Sequence, residues 1–161
     1  MTKLLFIAVF CLAVLTGNKS QSEPVAAPTL EGSVQQRLVL DKTLLESFTP
    51  VTVDVTFETD KGEKSGRYTG VLVWSLIEKA GLANVGAKNA TLRHTLLITG
   101  RDGYAVALAV GELDPHYEGK SVILAYAGGE PPASIDAPRL VVPGDKHGGR
   151  SVRDVASIDV R

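Results

Sequence analysis

The segment Ala137-Pro138-Arg139-Leu140-Val141-Val142-Pro143-Gly144-Asp145-Lys146-His147-Gly148-Gly149-Arg150-Ser151-Val152-Arg153 is the most informative in the chain. Its first half is an apolar run stopped by Pro-Gly, the signature of a short strand closed by a turn. Its second half is basic and glycine-rich. The backbone N–H groups of Gly148 and Gly149 can approach an anion closely. Ser151 and Asp154 stand at the spacing of a capping box, which predicts a helical turn whose free N–H groups favour negative charge. Arg150 and Arg153 add fixed cations, and Lys146 and His147 flank them. A phosphate fits this loop; so does the plainer reading, a basic surface loop bridging Asp145 and Asp154. The residues alone leave both open.

The pattern on either side is rich in strands. Val51, Val53, Val55 and Phe57 alternate with polar residues and predict a half-buried strand, with Asp60-Lys61-Gly62 as a turn. Further strands are expected at Leu38–Leu40, Thr91–Thr99, Tyr104–Val110, Ser121–Ala127, Arg139–Val142 and Ile158–Val160. Asp41 is placed to cap a short helix over 42–47. The clearest helix follows Gly70: Leu72, Val73, Leu76, Ile77 and Ala80 share a face, Trp74 lies at its edge, and Gly81 ends it. Few helices, many strands and no repeat define a single α+β domain with a mixed sheet.

Composition bounds the rest. The chain has 161 residues, 44% hydrophobic and 22% charged, enough for one domain with a sizeable core. Lys3 and the apolar run from Leu4 to Leu15 read as a secretory signal peptide over residues 1–22. That run is about 12 residues, short of the roughly 20 needed to span a bilayer. Residues 23–29 then form a linker and 30–161 the domain. The expectation is a periplasmic or secreted protein with no membrane span. Loss of the signal removes Lys3, Lys19 and Cys11, the chain's one cysteine, leaving 15 basic against 18 acidic residues and a net charge of −3. A mature domain of that charge is not expected to bind nucleic acid, and it has no thiol chemistry.

Three segments in order resemble the oxidoreductase molybdopterin-binding domain of the sulfite oxidase family. They are Tyr68-Thr69-Gly70-Val71-Leu72-Val73-Trp74-Ser75-Leu76-Ile77; Gly100-Arg101-Asp102-Gly103-Tyr104-Ala105-Val106-Ala107-Leu108; and the segment quoted first, preceded by Tyr126-Ala127-Gly128-Gly129-Glu130-Pro131. The resemblance covers roughly residues 30–160. It implies a sulfite-oxidase-like mixed sheet with a few short helices and a molybdopterin cofactor whose molybdenum is ligated by one protein cysteine. Thr59 stands at that cysteine's position. A threonine hydroxyl is neutral and hard where a thiolate is charged and soft, so normal oxygen-atom transfer is not expected. Asp154, where relatives often carry an aromatic residue, is a second departure. Twin arginines, usual for proteins exported already folded around a cofactor, are absent from the leader.

The site residues expected to contact a cofactor or other small anion are Tyr104, Lys146, His147, Gly148, Gly149, Arg150, Ser151 and Arg153, with Thr59 a vestigial ligand position. No catalytic residue is assigned. Arg101 and Asp102 read as a solvated turn, and His94 as an exposed strand residue. His94, His116 and His147 lack the spacing of a metal set. Three functions remain: a weakly catalytic or non-catalytic cofactor-binding domain, a molybdoenzyme whose metal is held by the dithiolene alone, or a module that binds another exported protein.

Overall fold

The computed structural model describes residues 25–161 apart from Glu130. The expected signal peptide and the first residues of the expected linker lie outside the described residues. Among the described residues no helix is long and apolar enough to cross a membrane.

Alternation at Val51–Phe57 becomes β3 (Val51–Thr59), paired antiparallel with β4 (Gly62–Leu72) across the turn at Asp60-Lys61. Upstream lie β1 (Thr29–Gly32), β2 (Leu38–Val39) and α1 (Lys42–Glu46). Asp41 caps α1 as predicted, its carboxylate accepting from Leu44 N–H at 2.8 Å, a contact typically worth about 1 kcal/mol. β4 runs directly into α2 (Val73–Ala80), which buries Val73, Leu76, Ile77 and Ala80; Gly81 ends it with φ +68°.

The second half supplies β5 (Thr95–Gly100), β6 (Ala105–Ala109), α3 (Val110–Leu113), β7 (Ile123–Gly128), β8 (Ala133–Val141) and β9 (Val155–Val160). The strands form two sheets, β2-β1-β9-β5-β6 and β3-β4-β7-β8, antiparallel except for β1 beside β9. The larger core lies between α1, α2 and the sheets and includes Leu30, Leu40, Leu76, Leu96, Ile98, Leu108, Leu140 and Ile158. A smaller core of Val53, Val55, Phe57, Ile123, Ala125 and Val141 fills the four-stranded sheet. The fold class read from the sequence, α+β with mixed pairing and a few short helices, is the one found.

Three local readings are corrected. Residues 91–93 are a 3-10 turn, and the strand begins only at Thr95. His94, at the end of that turn, is buried; its Nδ1–H donates to the Ala90 carbonyl at 3.1 Å, so it is not an exposed strand residue. Ser151 starts no helix: a 3-10 turn at Gly148–Arg150 precedes it, and its N–H already donates to Gly148 O at 3.1 Å.

One irregularity positions the site. Ala125 pairs with Arg139 and Ala127 with Ser134, so Ile135–Pro138 bulge from β8 opposite the single residue Tyr126. The chain then returns beside β8, where Leu140 N–H donates to Val152 O at 2.8 Å. Arg139 and Arg153 are the immediate neighbours of that bonded pair.

Candidate functional site

The glycine-rich loop divides into two halves with different surroundings. Lys146 and His147 lie against the end of β3. Glu58 N–H donates to Lys146 O at 2.9 Å, His147 Nδ1–H donates to Glu58 O at 3.1 Å, and Lys146 Nζ is 3.4 Å from the Glu58 carboxylate. Gly148 packs on Phe57; an added Cβ would sit 3.3 Å from the ring. Gly149 O accepts from the Tyr104 hydroxyl at 2.6 Å, so Tyr104, which precedes β6, does meet this loop.

Arg150 is committed internally. Its guanidinium bonds Asp145 at 2.6 and 2.9 Å and Glu112 of α3 at 2.9 Å. These hydrogen bonds raise the Arg150 pKa, and the Arg150 hydrogen bond holds Asp145 below the usual carboxylate range. Two carboxylates neutralise this cation, so the charge predicted for an anion is already matched. Ser151 Oγ, by contrast, is buried with no hydrogen-bond partner.

Arg153 faces elsewhere. With Tyr68, Gly128, Gly129, Ile135, Asp136, Ala137, Arg139 and Asp154 it lines a cleft of about 400 Å³. Arg139 lies over the Tyr68 ring, 5.0 Å from its centroid, and donates to the Tyr68 hydroxyl at 3.0 Å. Its Nε is buried without a partner. The contact over the ring and the bond to its hydroxyl hold the guanidinium, and among the described residues no carboxylate pairs with it. Sequence reasoning took Arg139 as a strand residue only; its place in the pattern, beside the bulge, is visible only once β7 and β8 are paired.

On the other side of the bulge a larger cleft, about 600 Å³, is lined by residues 25–28, α1, Arg101, Tyr126 and Ser134–Pro138. Arg101 and Asp102 lie in an exposed turn, as read, and the Arg101 guanidinium also donates to the Ala26 carbonyl.

Thr59 is remote in chemistry from a metal ligand. Its hydroxyl donates to Gly62 O at 2.7 Å and accepts from Lys61 N–H at 3.2 Å, closing the β3–β4 turn at the surface. Among the described residues no group of three His, Cys, Asp or Glu side chains is arranged to hold a metal.

No family profile and no curated protein matches the sequence. Among solved structures, the chain is similar to the sulfane dehydrogenase SoxCD from Paracoccus pantotrophus, with a TM-score of 0.67 at 21% identity. The match covers 86% of this chain and 39% of the other, so the chain spans about two fifths of that protein's length. At this identity the likeness shows the fold: a sulfite-oxidase-like α+β domain.

Proposed function

We propose that this chain is an exported sulfite-oxidase-fold domain that binds molybdopterin, or another organic anion, without a protein ligand to molybdenum, and that it is non-catalytic or weakly catalytic. The observation that carries this reading is the pair Arg139 and Arg153. Both line one cleft, and among the described residues neither has a carboxylate partner. Charges kept near a concave surface and left unneutralised gain most from an anionic ligand.

The residues fit the two parts of the cofactor differently. The phosphate end suits Arg139 and Arg153, with backbone at Gly128 and Gly129 free of Cβ atoms on one wall. Thr59 is engaged in its turn, and among the described residues no group of metal-ligating side chains is gathered for the metal. When bound, the cofactor supplies soft dithiolene sulfurs; the chain's part is to orient its anionic end and exclude water on the Tyr68 side.

The reading is tested on protein taken from its native host, by pterin fluorescence after oxidative release and by metal analysis. Pterin or another organic anion is expected in wild type and lost in Arg139→Gln and Arg153→Gln. Wild-type protein that carries no such ligand, and binds no phosphate ester in solution, overturns it.

A further inference from the structure

The same cleft carries two carboxylates that an anion site does not call for. Asp136 belongs to the bulge in β8, Asp154 follows Arg153, and both line the cleft with the two arginines. None of the four is ion-paired among the described residues. Asp136, Arg153 and Asp154 are solvent-exposed, so charges of both signs line one open cleft without forming ion pairs among the described residues. An inorganic anion gains from the arginines there but is repelled by the carboxylates. A ligand with charge of both signs meets all four.

Asp154 adds a second observation. Its φ of +46° lies in the left-handed region, where a non-glycine residue costs free energy, and its carbonyl is held by Arg101 N–H at 2.9 Å. Glycine would take this conformation more easily but would remove the carboxylate. Ile135, Ala137 and the Tyr68 ring give the apolar wall that a carbon linker needs.

We infer that the cleft takes a zwitterionic organic phosphate, with the phosphate between Arg139 and Arg153 and a protonated amine against Asp136 and Asp154. This rests on the anion-binding reading and narrows it to a ligand class.

The test is calorimetric titration of the full chain with O-phosphoethanolamine and with monoethyl phosphate, which has the same phosphate but no ammonium group. Wild type prefers phosphoethanolamine by roughly fivefold, the size of a solvated ion pair. Asp136→Asn and Asp154→Asn each narrow that preference and leave ethyl phosphate binding equal or tighter. Asparagine tolerates positive φ, so the second variant keeps its fold, which thermal unfolding checks. Arg153→Gln weakens both ligands. Equal wild-type affinities, or a preference for ethyl phosphate, with both still dependent on Arg153, overturn this inference and leave the anion site standing. If neither compound binds wild type, the anion reading fails and this inference with it.

Discussion

Arg150 holds Asp145 through two hydrogen bonds of 2.6 and 2.9 Å, and a third, to Glu112, ties the loop to α3. The clamp spans a separation of 38 residues in sequence at its longer reach. It fixes the glycine-rich loop together with the bonds from Glu58 N–H to Lys146 O and from the Tyr104 hydroxyl to Gly149 O.

This pair has a pH signature. Folding lowers the Asp145 pKa below its ordinary 3.8, chiefly through the hydrogen bond from Arg150. Such a group stabilises the fold at pH above 3.8, and its contribution is lost as pH falls through the lowered value. Asp145→Asn is expected to cost about 1–2 kcal/mol at pH 7 and progressively less below pH 4. Chemical denaturation of both proteins across pH 2–7 reads the difference; parallel curves would show that the pair contributes nothing.

Gly70 tests the register of the small sheet. A Cβ there would overlap the Leu124 carbonyl oxygen and lie 2.5 Å from Ala125 Cα, at the irregularity between β4 and β7. Gly70→Ala should destabilise by about 3 kcal/mol, since the obstruction is backbone on a neighbouring strand. Urea unfolding measures it, and a loss under 1 kcal/mol would mean that the strands separate easily at this point.

Phe57 joins β3 to the loop through Gly148. Truncation in Phe57→Ala removes a nearly buried ring from the smaller core, with an expected cost of about 3 kcal/mol. The variant should also loosen the backbone bond from Glu58 N–H to Lys146 O, read as faster amide exchange at Glu58. Unchanged exchange there would separate the loop's position from the ring.

Thr59 is predicted to be a turn residue and nothing more. Thr59→Val removes two surface hydrogen bonds and should shift stability by no more than about 0.5 kcal/mol, with phosphate-ester affinity unchanged. A loss of ligand affinity would place the β3–β4 turn in the binding surface after all.

Elements set by near neighbours were legible in the sequence. Alternation from Val51 to Phe57, the apolar face of α2, the Asp41 cap and the turn at Asp60-Lys61 all concern residues within a few positions of each other. The capping-box spacing at Ser151–Asp154 failed because the preceding 3-10 turn had already claimed the Ser151 N–H. His94 was misplaced because a strand's alternation and the end of a 3-10 turn look alike over a few residues. The site divided for a related reason. Arg150 and Arg153 are three positions apart, yet Glu112 and Asp145 take one while Arg139 and Tyr68 share a cleft with the other. Those partners come from distant segments, and local pattern carries no trace of them.

The backbone hydrogen bond from Leu140 to Val152 has a bearing on the proposed ligand site. Arg139 and Arg153 each adjoin one end of it, so the gap between the roots of the two side chains is a main-chain dimension. In the proposed binding site the two arginines would therefore be rooted at a spacing set by the backbone. A ligand matched to that spacing would engage both guanidinium groups with little backbone adjustment. Under the proposed function, the breadth of a ligand would thus be read in part by a main-chain distance.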